Sequence, residues 1–75
     1  MKQIYTVTGI FRDKNQPSII ETAEQYRVAT MYAWHIGQQF AGLKAISIRH
    51  PDGTIDLHTS SGKHLFTLPP LTTPA

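Results

Sequence analysis

The side chains in this sequence that are best suited to chemistry are its four histidines. Imidazole is the commonest protein ligand for zinc, and a catalytic zinc site needs three convergent protein ligands. His58 and His64 flank a predicted turn, which allows their rings to approach each other, whereas His35 falls in a helical segment. The His-x5-His spacing is not a recurrent zinc pattern, and the chain has no cysteine. The sequence therefore predicts no metal site.

Nucleophilic catalysis is the other chemistry to consider. Ser60 and Ser61 precede a glycine near His58, but a polar turn commonly has this composition. The sequence has no nucleophile elbow, no glycine-rich loop before a helix and no paired carboxylates. One sheet with one helix also offers little volume for a substrate pocket of several hundred Å3. We therefore expect a protein without enzymatic activity and without a cofactor.

The strongest binding signal is the single tryptophan. At about 100° per residue, Trp34 falls opposite the apolar stripe of its predicted helix. Three further side chains share this outer strip: Arg27, Met31 and Gln38. Trp and Arg are enriched at binding hot spots, and Met adapts to irregular surfaces. We expect the strip, with Lys44 beside it, to bind a protein partner. Homodimerisation through the same strip, and an exposed aromatic side chain without a binding role, remain alternatives.

A second candidate surface is basic. Arg49 and His58 are predicted to point outward from the sheet, with Lys63 nearby, so this face could contact phosphate groups. A formal net charge of +2 is compatible with nucleic acid, but nucleic-acid footprints usually carry a denser Lys/Arg cluster. A small basic nucleic-acid-binding module, monomeric or dimeric, is therefore the alternative function.

These side chains must be positioned by the elements that the apolar pattern predicts. Ile4 to Phe11 alternates as a β-strand does, with Tyr5, Val7 and Phe11 on one face. After a polar turn, Ser18 to Glu21 returns as a short second strand.

A helix follows, and its boundaries carry sequence signals. Thr22 and Gln25 form a Thr-x-x-Gln capping box, and Gly42 is placed to end the helix in a left-handed conformation. The predicted apolar stripe comprises Tyr26, Ala29, Tyr32, Ala33, Ile36 and Phe40. Its two alanines favour close approach of the helix to a sheet. Gly37 lies off the stripe and weakens the helix by about 1 kcal/mol relative to Ala.

After Gly42 the apolar period changes from that of a helix to that of a strand. The segments containing Ile46 and Ile55 alternate apolar with polar residues, and "HPDG" between them predicts a tight turn. "SSG" turns the chain again into a last strand, Lys63 to Leu68.

The predicted element order is therefore β-β-α-β-β-β. It favours a single α+β domain over residues 1–68, in which one helix packs on one face of an antiparallel five-stranded sheet. Residues 69–75 contain three prolines and are predicted to form an extended, disordered tail. No apolar run approaches the roughly 18–20 residues of a membrane span. The absence of cysteine fits a reducing cytoplasm.

The chain resembles the small phage-encoded anti-CRISPR proteins that act on type I-F surveillance complexes. The likeness spans Met1 to Phe66 and rests on "MKQIYTVTGI", "SIIETAEQ", "AGLKAISIRHPDGTIDLH" and "SGKHLF". It implies a non-enzymatic inhibitor that binds the repeated backbone subunits of the crRNA-guided complex and blocks target-DNA hybridisation in the host cytoplasm. A DNA mimic would be acidic, whereas this chain is basic. Inhibition would therefore be steric, which suits the strip around Trp34.

Overall fold

The computed structural model of the protein describes residues 3–70. Its elements are β1 (Tyr5–Phe11), β2 (Ile19–Ala23), α1 (Tyr26–Gln39), β3 (Leu43–Arg49), β4 (Ile55–His58) and β5 (His64–Leu68). The strands form one antiparallel five-stranded sheet in the order β2-β1-β3-β4-β5, and α1 packs on one face, against β1, β2 and β3. The predicted α+β class and element order are confirmed.

The core lies between α1 and the middle of the sheet. Val7, Ile46 and Ile48 are almost completely buried there, and burying a side chain of this size stabilises the fold by about 1.5–3 kcal/mol. Ala29 and Ala33 are buried on the helix, which agrees with the predicted close approach of helix and sheet. Gly9 contributes to the same approach, because a Cβ atom at this position would lie 3.0 Å from Ile36 Cγ2.

The helix boundaries differ from the prediction. Thr22 pairs with Thr6 in the sheet, so it does not cap the helix, and the predicted capping box is wrong. Gln25 occupies the N-cap position without a side-chain cap hydrogen bond. Gly42 does have a positive φ, of 80°, but α1 already ends at Gln39 and Phe40 is extended. Gly42 therefore belongs to the turn into β3.

The buried stripe of the helix is narrower than predicted. Ala29, Ala33 and Ile36 are its buried residues, whereas the three aromatic residues assigned to the stripe are exposed by more than a third: Tyr26, Tyr32 and Phe40. Small residues occupy the centre of the stripe, so the backbones come close together and the large rings are displaced to its margins.

The large apolar side chains face the helix in β3 but face away from it in β4. Ile48 pairs with Asp56, and residues directly opposite each other in an antiparallel pair share a face. Asp56 and, two residues on, His58 therefore lie on the helix side. Arg49 pairs with Ile55 on the other side, which we call the open face. The prediction that Arg49 and His58 point outward together is therefore wrong.

The end of the chain is described only in part. Residues 69 and 70 are exposed and outside any strand, and Pro70 approaches the turn before β4, where a Cβ atom on Gly53 would lie 3.3 Å from Pro70 Cβ. The remainder of the predicted tail lies outside the described residues.

Candidate binding groove beside Trp34

A groove separates α1 from the β4–β5 hairpin, because the helix packs over β1, β2 and β3 and the hairpin extends past it. The groove has a volume of about 170 Å3. Its lining residues are Thr30, Ala33, Trp34, Ile46, Ile48, His58, Thr59 and Gly62. We call this feature the Trp34 groove. It combines an apolar floor with one ionisable group, His58.

Trp34 lies at the edge of this groove and not at the outermost line of the helix. Its side chain is 56% exposed, and its ring meets that of His35 edge-on, with 5.3 Å between the ring centroids. On the helical wheel, Trp34 lies about 140° from the buried Ala29. The groove lining, which includes His58 and Thr59, places Trp34 on the flank of α1 that faces the hairpin. An exposed tryptophan is therefore combined with a concave apolar surface.

The other residues of the predicted strip are exposed but do not line the groove. Arg27, Met31 and Gln38 lie on the solvent side of α1. Lys44 is exposed at the start of β3, where the pairing with β1 is irregular. Of the five residues predicted to bind a partner, Trp34 is the one that lines the groove, and His58 lines it as well.

His58 lines the groove and carries a buried polar atom. Its Nδ1 is buried and has no hydrogen-bond partner, although its ring contacts that of His64 at a centroid distance of 5.3 Å. The approach of these two histidines across the hairpin was predicted. Burial, together with the neighbouring His64, lowers the pKa of His58 below 6.5. A neutral imidazole has one ring nitrogen that donates a hydrogen bond and one that accepts.

The low pKa of His58 should be visible in solution. We expect its imidazole to titrate below 6.5 in an NMR pH titration. Between pH 6.5 and the folded-state pKa, the unfolded chain binds a proton that the folded chain does not, so the folded state loses stability as the pH falls. In His64→Asn the pKa of His58 should rise, because one of the two causes that lower it has been removed. Titration of wild-type His58 at or above 6.5 would contradict the burial of its ring.

A hydrogen-bonded cluster around Asp56 holds the surrounding elements in place. Asp56 is 8% exposed and accepts hydrogen bonds from Tyr26 Oη at 3.2 Å, from His50 Nε2 at 2.6 Å and from Thr67 Oγ1 at 2.9 Å. His64 Nε2 lies 2.9 Å from the same Thr67 hydroxyl. The cluster joins the start of α1, the end of β3, β4 and β5. It thereby positions the hairpin that forms one wall of the Trp34 groove.

The electrostatics of the cluster follow from its geometry. Burial alone would raise the pKa of Asp56, but the hydrogen bonds from His50, Thr67 and Tyr26 outweigh it and hold the pKa below 3.8. Burial and the neighbouring Asp56 carboxylate raise the pKa of Tyr26 above 10.0. Sequence reasoning missed this cluster. The sequence feature that could have indicated it is Asp56, which lies between two apolar residues of a strand. If those apolar residues face away from the helix, Asp56 faces the core.

The other sets of residues proposed from the sequence are not assembled. Arg49 is on the open face, His58 is on the helix side, and Lys63 is exposed in the β4–β5 turn. The three residues of the alternative nucleic-acid surface therefore do not share a face. Ser61 Oγ lies 2.9 Å from Thr59 Oγ1. Among residues 3–70 there is no cluster of three side chains that could hold a metal ion.

Comparison with protein-family models, with curated proteins and with solved structures found no match to this chain. The resemblance to anti-CRISPR proteins therefore remains a prediction from the sequence. In the part of the chain that the structure describes, no helix is long and apolar enough to cross a membrane.

Proposed function

We propose that this protein is a non-enzymatic inhibitor that acts by binding another protein through the Trp34 groove. The observation that carries the proposal is the half-exposed indole of Trp34 next to an apolar concavity whose lining includes His58. Tryptophan is the type of side chain most often found at binding hot spots, where it is flanked by a partner's side chain in a dry pocket.

The size of the groove favours a single side chain as its occupant. Pockets for cofactors and drug-sized ligands have volumes of about 300–1,000 Å3, whereas the Trp34 groove has about 170 Å3. An aromatic side chain of a partner protein, stacked on Trp34 with a polar tip beside the polar lining residues Thr30, Thr59 and His58, meets both the apolar and the polar requirement. A tyrosine is the natural candidate, because it combines a ring with a polar tip.

The charges around the groove favour a partner that carries acidic residues around the bound aromatic side chain. Arg27 and Lys63 are both exposed; Arg27 lies one helical turn before Thr30 of the groove and Lys63 follows Gly62 of its other wall. None of the lining residues is acidic. Carboxylates near the partner's aromatic side chain would speed association and set the orientation of the complex.

The resemblance in the sequence specifies the partner within this proposal. We propose that the protein is a phage-encoded inhibitor of a type I-F CRISPR surveillance complex, that it binds the complex's backbone subunits in the host cytoplasm, and that it blocks hybridisation of target DNA. The mode of inhibition is steric, since the net charge of +2 excludes mimicry of DNA.

Trp34→Ala should weaken binding to the purified type I-F complex by at least about 30-fold, which corresponds to the hot-spot threshold of about 2 kcal/mol. The fold should persist, because the side chain is more than half exposed. Co-elution by size exclusion, followed by titration at moderate salt, measures the effect. Met31→Ala is the matched control: it removes an apolar side chain of 53% exposure from the same helix but outside the groove, and should cost much less.

The outcomes of this experiment are distinct. If wild type does not co-elute, the type I-F complex is not the target. If wild type and Trp34→Ala bind equally well, the groove is not the contact surface. Affinity for DNA or RNA that falls steeply with salt would instead favour the nucleic-acid-binding alternative, because such a dependence indicates phosphate contacts.

A further inference from the structure

The open face of the sheet carries an exposed apolar patch on the β4–β5 hairpin. Register places Ile55 beside Leu68 and Leu57 beside Phe66. All four lie on the open face, because Ile55 pairs with the outward-facing Arg49. Phe66 is 48% exposed and Leu68 is 45% exposed. We call these four residues the β4–β5 patch.

The patch has the opposite polarity from that expected of a solvent-facing sheet. Antiparallel sheets that cover a core on one face usually present polar side chains on the other. In this hairpin Asp56 and His58 take the inner positions and the large apolar side chains take the outer ones. A neighbouring groove of about 730 Å3 shares Ile55 and Leu68 with the patch. An apolar surface of this kind marks a contact site.

We propose that a second copy of this chain covers the β4–β5 patch, so that two sheets pack open face to open face around a twofold axis. The patch contains no charged residue, and Arg49 is the charged side chain that pairs beside it. In a homotypic contact, the uncharged apolar patch of one copy packs against the same patch of the other copy. The two helices then lie on the outside, with the two sheets about 10 Å apart.

The small core supports a second copy as the occupant. Among residues 3–70 its buried cluster comprises nine residues, three of them alanines. In domains of about 70–80 residues or fewer the core rarely supplies more than about 3–5 kcal/mol, and a disulfide, a metal or self-association can add to it. The chain contains no cysteine, and residues 3–70 contain no metal-binding cluster. Self-association through an apolar sheet face supplies the missing burial.

The area of the face sets the expected strength of the dimer. Five strands about 4.8 Å apart, each presenting roughly five residues at about 3.4 Å per residue, give a flat footprint of about 400 Å2. Stable interfaces bury about 800 Å2 of accessible surface per partner. Side chains make the accessible area larger than this flat footprint, but the interface is still small compared with stable interfaces. We therefore expect a dimer that dissociates on dilution.

Sedimentation equilibrium over a wide range of concentration tests the proposal. The wild-type mass should rise from 8.4 kDa toward twice that value. Phe66→Glu should raise the dimer Kd by at least about 30-fold, the hot-spot threshold. Met31→Glu introduces the same charge at an equally exposed apolar side chain on the helix and should leave the Kd unchanged. Circular dichroism verifies that each variant is folded.

If Phe66→Glu does not fold, Leu68→Gln replaces it, with the same direction of effect expected. A wild-type chain that stays monomeric at all concentrations overturns the proposal. So does a dimer that Met31→Glu dissociates and Phe66→Glu does not, since that result would place the interface on the helix. The Trp34 groove lies on the other side of the sheet, so failure of the dimer leaves the proposed function intact.

Discussion

Replacement of Asp56 by alanine should lower the free energy of unfolding by about 3 kcal/mol, since each hydrogen bond to a charged group contributes about 1.5–3 kcal/mol and the three are not additive. Asp56 is the common acceptor for Tyr26, His50 and Thr67. Its removal takes away the acceptor that Tyr26, His50 and Thr67 share and disconnects β5 from the start of α1.

Urea denaturation near pH 7 measures this loss. Asp52→Ala is the matched control, because Asp52 is exposed in the adjacent turn and receives its hydrogen bond from the Thr54 backbone N–H. Asp52→Ala should lower the free energy of unfolding much less. Wild type and Asp56→Ala should also differ in how their stability changes at acid pH. The stabilisation from Asp56 is present above 3.8, its unfolded-state value, and is lost as the pH falls through the lower folded-state pKa. If Asp56→Ala unfolds at the same urea concentration as wild type, the cluster is not a determinant of stability.

Gly37→Ala should destabilise the protein by about 2–3 kcal/mol, although alanine is the better helix former by about 1 kcal/mol. A Cβ atom on Gly37 would lie 2.1 Å from the carbonyl oxygen of Ser60. This oxygen belongs to the backbone of the β4–β5 turn, so relief requires the helix and hairpin to move apart. The steric cost therefore exceeds the gain in helix propensity, and the Trp34 groove should widen.

Thermal and urea unfolding of Gly37→Ala give its stability. Gln38→Ala provides the control, since it places alanine at the next, exposed position of α1 and should change stability little. A Gly37→Ala variant more stable than wild type would show that the hairpin is not held against the helix. This measurement also tests the geometry of the Trp34 groove, because Gly37 and the groove share the same helix–hairpin contact.

The proposed binding surface and the proposed dimer surface are compatible. They lie on opposite sides of the sheet, so a dimer formed through the β4–β5 patch presents two Trp34 grooves outward. Two linked sites that can engage a repeated array together raise the overall affinity without any new contact. The repeated backbone subunits of a surveillance complex would be such an array. Under both proposals, Phe66→Glu should therefore also weaken inhibition while leaving the groove intact.

Much of the fold was predictable because it follows from local patterns. The alternation in β1 predicted that Val7 and Phe11 share a face, and both are buried. The two glycines of the turns after β3 and β4, Gly53 and Gly62, have the positive φ that tight turns require. The small residues Ala29 and Ala33 indicated the buried centre of α1. Each of these features depends on residues only a few positions apart in the chain.

The candidate site was only partly predictable, because its geometry depends on strand register. The sequence pattern singled out Trp34 as an exposed aromatic side chain and His58 as a neighbour of His64, but assigned them to different surfaces. A shift of one residue in the pairing of β3 with β4 exchanges the two faces of a strand. The observed register pairs Ile48 with Asp56, which places His58 beside the helix and leaves Leu57 on the open face. Local alternation is the same in either register, so only the packing of the hairpin against α1 distinguishes the two faces.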